Sequence, residues 1–323
     1  MPMTRREVLA AGAAAAGTVL TGGASPAWAG GASWGGSGAD RRRVLRLAHL
    51  TDTHTQPERN AAGGLAACLA HVSSLRDRPG LVMTGGDLIM DGFAASQTRT
   101  RQQWDLFVKT LGDGCAIPVE HCLGNHDIWG WNKTKSGTTG EEAGWGKRWA
   151  MDLLGLASPY RAFELAGWTI VVLDSIRPEG EGYRARLDDE QYEWLEGELA
   201  RGTTPVLVVS HAPILAGCVL VNSTVDAEKG NHAVSGGLLH QDVKRLRGLF
   251  GKHPRVKLCL SGHIHLLDRV EYAGVTYICD GAVSGNWWKG RHQECDEGYG
   301  VVDLFDDGSF SHEYVRYGWK AEA

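Results

Sequence analysis

The chain has 323 residues, 43% of them apolar, with 44 glycines, twelve tryptophans and a formal charge of −5. That length allows a large buried core in one or two domains, and the composition is that of an ordinary globular protein. The negative charge argues against a nucleic-acid partner held through its phosphates: Arg41, Arg42 and Arg43 form the only cationic run, read as a solvated lead-in to the first strand. Seven cysteines are an odd number without a CxxC pair. They are expected mostly buried and unpaired, with Cys115–Cys122 or Cys259–Cys279 as the alternatives.

In chain order, the first segment reads as an address. MTRREVLAAGAAAAGTVLTGGASPAWA carries the twin arginines Arg5 and Arg6, a weakly apolar Ala/Gly stretch, and small residues ending at Ala27, Trp28 and Ala29. The stretch is too short and too rich in glycine to span a bilayer comfortably. No cysteine precedes Cys68, so neither a lipid nor a helical membrane anchor is expected. Residues 1–29 are therefore predicted to be a twin-arginine signal peptide. The export machinery it addresses carries folded, metal-loaded proteins to a periplasmic or extracellular location. Residues 30–42 are predicted to be a disordered Gly/Ser linker, and 43–320 a single domain.

The rest alternates strand and helix. Helices are predicted near 60–76, 97–111, 141–154, 188–200 and 237–250. The fourth is well signalled by Asp188 as cap and by Tyr192, Trp194, Leu195 and Leu199 as an apolar face. Hairpins are predicted around Ala166–Gly167, Gly274 and Asp307–Gly308. Parallel and antiparallel pairs together predict mixed sheets. Two long connections, 128–159 and 214–236, are where substrate contacts are expected.

Five islands follow apolar, β-branched runs: DTH (Asp52, His54), GGD (Asp87), GNHD (Asn125, His126, Asp127), SHAP (His211) and GHIH (His263, His265). Polar residues at the carboxyl ends of successive strands converge on one rim of an open sheet. Imidazole, carboxylate and amide oxygen without thiolate suit Fe, Mn, Zn or Co. Alternation along DTH and GHIH predicts that both side chains of each pair share one face of an extended segment. Two such ions make a hydroxide nucleophile at neutral pH and clamp phosphoryl oxygens. With only two carboxylates, the centre keeps residual positive charge for an anionic phosphate.

The islands resemble the calcineurin-like metallophosphoesterase superfamily, whose pattern is DxH, GD, GNH[DE], H and GHxH in that order. The resemblance implies an α/β fold: a four-layer αββα sandwich of two mixed sheets flanked by helices. It implies that Asp52, His54 and His265 hold one of two divalent or trivalent ions, that Asn125, His211 and His263 hold the other, and that Asp87 bridges them. His126 is expected to bind the phosphoryl oxygen or protonate the leaving group, with Asp127 orienting its ring. His54 stands where purple acid phosphatases carry a tyrosine, which disfavours that branch. Trp129, Trp131, His232, Trp287 and Trp288 are candidate substrate contacts. The expected activity is hydrolysis of a small phosphate ester by a metal-bridging hydroxide, a phosphodiesterase of the cyclic-nucleotide or glycerophosphodiester type being favoured. A phosphomonoesterase of the same fold, or a non-catalytic protein-binding scaffold, is the alternative. A scaffold usually loses ligands, and here none is lost.

Overall fold

In the run RVLRLAHL, Leu47 and Ala48 point to opposite faces and both are fully buried, as in a strand covered on two sides. This is β1 (Arg43–Leu50). The structure, a computed structural model, describes residues 41–322. After β1 come α1 (Ala61–Ser74), β2 (Leu81–Thr84), α2 (Gln97–Gly114), β3 (Val119–His121) and two short helices, α3 (Lys133–Ser136) and α4 (Arg148–Leu154). The hairpins β4 (Arg161–Leu165) with β5 (Trp168–Val172) and β6 (Ile176–Glu179) with β7 (Gly182–Ala185) precede α5 (Asp189–Arg201). Then follow β8 (Val206–Val209), a 3-10 turn (Cys218–Asn222), the small hairpin β9 (Thr224–Val225) with β10 (His232–Ala233), and α6 (Val243–Lys252). The chain closes with β11 (Val256–Ser261), β12 (Asp268–Tyr272), β13 (Val275–Cys279), β14 (Gly298–Phe305) and β15 (Phe310–Arg316).

Two mixed sheets carry the fold. One has the order β15-β14-β1-β2-β3, with β1, β2 and β3 parallel; the other has the order β12-β13-β11-β8-β5-β4, with the four inner strands parallel. Leu47, Met83, Val302, Ile170, Leu207 and Leu260 interleave between the sheets. Leu65, Leu69, Trp104 and Phe107 of α1 and α2 cover the outer face of the first sheet. Leu195, Leu199, Leu246 and Phe250 of α5 and α6 cover the second. The result is the expected helix–sheet–sheet–helix stack. Each fully buried Leu or Phe contributes about 1.5–3 kcal/mol from area removed from water.

The three predicted hairpins form in register. The Asp188 side chain accepts from Gln191 N and caps α5. The helix predicted over 141–154 is reduced to Arg148–Leu154, because Gly140 (φ 96°) and Gly146 (φ 74°) adopt left-handed backbone that no helix contains. The helix predicted from 237 begins at Val243, since the backbone N–H groups of His240 and Gln241 instead donate to Pro213 and Ala185. The segment expected to be a signal peptide (1–29) and nearly all of the expected linker (30–42) lie outside the described residues. Of the linker's end, Arg42 N–H donates to Asp306 Oδ1 at 3.0 Å, and Arg41 lies 4.2 Å over the Phe305 ring.

Candidate metal centre

The parallel strands β1, β2, β3, β8 and β11 all end on one rim, and each hands its island to that rim. The expected pleat alternation within DTH and GHIH does not occur. Asp52, His54, Asp87, His263 and His265 all have positive φ, between 39° and 71°, so the chain turns left-handed at these five ligand positions. Such backbone costs of order 1–3 kcal/mol per residue and persists only where its surroundings dictate it. Here the dictating contacts include Asp52 N–H to Gly86 O at 3.0 Å and His54 N–H to Asp87 O at 2.9 Å. These bonds lace the first two islands together.

One group brings Asp52, His54 and His265 within ligand distance of each other; a second brings Asp87, His211 and His263 together. His265 Nε2 lies 3.0 Å from His54 Nε2 and 3.3 Å from Asp52 Oδ1. In the second group, His211 Nε2 lies 3.1 Å from His263 Nδ1, 3.2 Å from Asn125 Oδ1 and 3.2 Å from Asp87 Oδ2. Asp87 Oδ2 is also 3.8 Å from His54 Nε2, so one carboxylate oxygen faces both groups.

The other ring nitrogens settle which atom faces inward. His211 Nδ1–H donates to Gly85 O at 2.8 Å, His265 Nδ1–H to Gly285 O at 2.6 Å, and His263 Nε2–H to Gly237 O at 3.1 Å. Each of these rings, when neutral, therefore presents a lone pair to its neighbours. Asp52 does likewise: its Oδ2 accepts from Thr51 Oγ1 and His263 N, while Oδ1 is buried without a hydrogen-bond partner among the described residues. With the imidazoles neutral, lone pairs of nitrogen and carboxylate oxygen face one another at about 3 Å with no donor from the other described residues between them, an arrangement that fits a cation.

The electrostatics agree. Burial alone would raise the carboxyl groups, yet His265 holds Asp52 well below its ordinary range, and His211 does the same for Asp87. Burial would lower His211, but Asp87 overrides it and raises the imidazole to about 9. Burial and the charge on His211 push His263 down to about 4. Two ionised carboxylates thus draw positive charge into a buried cluster, as a proton or as a metal ion.

His126 sits beside this cluster on its open side. Its Nε2 is 3.9 Å from Asp87 Oδ2, its ring stands edge-on to His54 with centroids 4.8 Å apart, and 28% of its side chain is exposed. The ring is oriented by the Met90 carbonyl, which accepts from Nδ1 at 2.5 Å. Asp127 has a different task from the one expected of it. Fully buried, its carboxylate accepts the backbone N–H groups of Asp87 (2.9 Å), Leu88 (2.7 Å), Ile89 (3.3 Å) and Gly124 (2.8 Å). It pins the GGD loop to the GNHD loop. Burial and the nearby Asp87 charge push it up to about 7. A cation held by Asp87 would offset that repulsion.

The expected substrate wall is largely framework. Trp129 is 2% exposed and stacks edge-on with Trp149; Trp288 is 1% exposed, and its Nε1–H donates to Thr53 O and His54 O. Trp131 is buried under Phe93, beside the Lys147 ammonium that clamps its loop to Asp174 and Ile176 O. These indoles fill space that long loops would otherwise leave void. His232 is exposed on the β9–β10 hairpin and pairs with Ser223. Trp287 alone of the four tryptophans stands at the centre, half-buried, its ring 4.6 Å from His265 and 5.8 Å from His54. Two residues were missed. His292 lies 5.7 Å from both His265 and Trp287, and Tyr183 of β7 lies 6.2 Å from His263. Burial and the Asp87 charge both push the Tyr183 hydroxyl up. Its signal was the E-G-E-G turn before it, which marks the unpredicted β6–β7 hairpin.

The match to known proteins follows this geometry. The calcineurin-like phosphoesterase family profile matches residues 45–267, and the chain belongs to that family. It is a hydrolase acting on phosphate esters. A probable cyclic nucleotide phosphodiesterase of Synechococcus is 28% identical over 233 residues, covering 69% of this chain and 74% of its own. A 3',5'-cyclic-nucleotide phosphodiesterase of Nostoc is 24% identical over 290 residues, covering 84% and 92%. Among solved structures, a dimetal phosphatase from Danio rerio has the same fold. Its TM-score is 0.54 at 16% identity, with 86% of this chain and all of that one covered.

Proposed function

We propose that this chain is a two-metal phosphodiesterase acting on small diesters of the cyclic-nucleotide or glycerophosphodiester type. The observation that carries the two-metal reading is Asp87 Oδ2, which faces both groups of inward-pointing lone pairs. Asp52, His54 and His265 would hold one ion, Asn125, His211 and His263 the other, and Asp87 both. Fe, Mn, Zn and Co suit these donors. When bound, such a pair supplies a deprotonated water at neutral pH and neutralises phosphoryl charge.

The chain's own groups do the rest. His126 Nε2 is the ring atom left free by the Met90 bond, so it binds a phosphoryl oxygen or, when protonated, gives its proton to the leaving oxygen. Asp127 holds the Asp87 and Asn125 loops at fixed separation. Trp287 offers a partly exposed indole beside the ligands, on which a flat base can stack. The two cyanobacterial relatives named as cyclic nucleotide phosphodiesterases support a diester over a monoester. The test is a panel on protein loaded with Mn, Zn or Fe: bis(p-nitrophenyl) phosphate, p-nitrophenyl phosphate, cyclic nucleotides and glycerophosphodiesters. Faster turnover of diesters is expected. A preference for the monoester, or no turnover at all, refutes the reading.

Residues 1–29 are proposed to be a twin-arginine leader ahead of a single catalytic domain over 43–320. The exported product should then begin at Gly30 by N-terminal sequencing, and replacing Arg5 and Arg6 with Lys should retain the protein inside the cell. An unprocessed chain in the exported fraction argues against it.

A further inference from the structure

Three cysteines meet in an apolar cluster with Ile264 and Leu266, the residues that follow His263 and His265 in the chain. Cys279 ends β13 and is buried, and its thiol donates to Gly262 O at 3.1 Å, the carbonyl immediately before His263. Cys218 is half-buried and opens the 3-10 turn in the long loop after SHAP. The backbone N–H groups of Gly217 and Cys218 both donate to Asp268 Oδ2, the second at 2.8 Å. Asp268 is the direct antiparallel partner of Cys279 across β12 and β13, and directly opposed side chains lie on one face of a sheet. Asp268 therefore pins Cys218 on the face from which Cys279 projects. Cys218 and Cys279 belong to the same apolar cluster, and the Cys218 thiol, ahead of burial, holds the Cys279 thiol well above its usual range. Cys295 points elsewhere, to Asp296 O and the Tyr314 hydroxyl.

We propose that Cys218 and Cys279 form a reversible disulfide that staples the 214–236 loop to the sheet beside His263. Its oxidant is a low-molecular-weight disulfide such as oxidised glutathione. The half-exposed Cys218 thiolate attacks one glutathione sulfur, the glutathione S–S bond breaks, and one glutathione leaves as a thiol. Cys279 then displaces the second glutathione from Cys218. Two protein thiols are oxidised, one external disulfide is reduced to two thiols, and the two protein thiol protons end on the released glutathiones. Cys279 is buried, so it acts as the resolving partner. The staple has two structural effects. It removes the S–H donor from Gly262 O, and it anchors the near end of the loop whose far end supplies the Gly237 carbonyl to His263.

The full chain, reduced with dithiothreitol and then exchanged into oxidised glutathione, should lose about 2 Da in intact mass. Non-reducing peptide mapping should find Cys218 joined to Cys279. Cys295→Ser should keep the cross-link and Cys218→Ser should lose it. Hydrogen exchange of amides in 218–236 should slow roughly tenfold or more on oxidation, with no change in Cys218→Ser. Glutathione held on Cys218 without the cross-link, a cross-link involving Cys295, or equal exchange in both redox states overturns the proposal.

Discussion

Replacing Asp127 with Asn separates a structural role from a catalytic one. The carboxylate receives four backbone N–H bonds, Oδ1 from Leu88 and Ile89 and Oδ2 from Asp87 and Gly124. An asparagine keeps one acceptor oxygen and turns an NH2 donor toward the other two N–H groups. Two buried donors left facing a donor cost about 1–3 kcal/mol each, so about 2–6 kcal/mol in all. Against a total stability of about 5–15 kcal/mol that is a large fraction. With metal present Asp127 is taken as ionised, so the measurement belongs on metal-loaded protein. Urea unfolding of Asp127→Asn should give an unfolding free energy lowered by that amount and hence a lower midpoint, accompanied by weaker metal retention. Hydrolysis should fall by the same factor for esters with good and poor leaving groups, because the carboxylate does not reach the His126 ring. A midpoint equal to that of the unaltered protein would refute the pinning argument. A loss confined to poor leaving groups would instead restore Asp127 to the proton-transfer path.

Three further substitutions test the remaining assignments. His126→Ala should keep both metals by elemental analysis yet slow esters with poor leaving groups by about 10²–10⁴-fold; loss of an ion would make His126 a ligand. Asp87→Ala should empty or disorder both sites together, and retention of one full equivalent would contradict its shared position between the two groups. Asp280 accepts from His312 Nε2 and His49 Nδ1, each at 2.7 Å. Burial opposes ionisation there, but His312 and His49 hold the carboxyl well below its usual range. A depressed folded-state pKa gives stability that is complete above the unfolded value near 4 and fades as pH falls through the folded value. Asp280→Asn should therefore be less stable at pH 7, with a flatter stability curve below about pH 5. A curve parallel to that of the unaltered protein would show that Asp280 is not the acid-sensitive group.

The glycines of the islands show how tightly the loops converge. A side-chain carbon on Gly124 would sit 2.1 Å from Asp87 Oδ1, and one on Gly262 would sit 2.3 Å from Asp52 Oδ2. The space a side chain would need is taken by the Asp87 carboxylate at Gly124, and by the Thr51 hydroxyl together with the Asp52 carboxylate at Gly262.

The sequence by itself determined the strand ends, the mixed character of the sheets and the identities of the donors, while the layering was what the family resemblance implied. Strand runs carry a period-two or continuous apolar signal, and a donor at a strand's carboxyl end has little freedom about where it lies. It could not determine roles that depend on which backbone groups come near. Asp127 and Met90 exchanged the part of ring-orienter because the Met90 carbonyl reaches His126 through a turn with no sequence signature. Four tryptophans in two loops looked alike, since indole suits a cleft wall and a core equally. Only packing separated Trp287, beside His265, from Trp129, Trp131 and Trp288, which fill the framework. Tyr183 and His292 arrive from segments remote in the chain, and Cys218 meets Cys279 only because Asp268 holds the loop there. Local pattern specifies elements and ligand types; the partner each polar atom finds is a long-range contact, and the tertiary structure alone decides it.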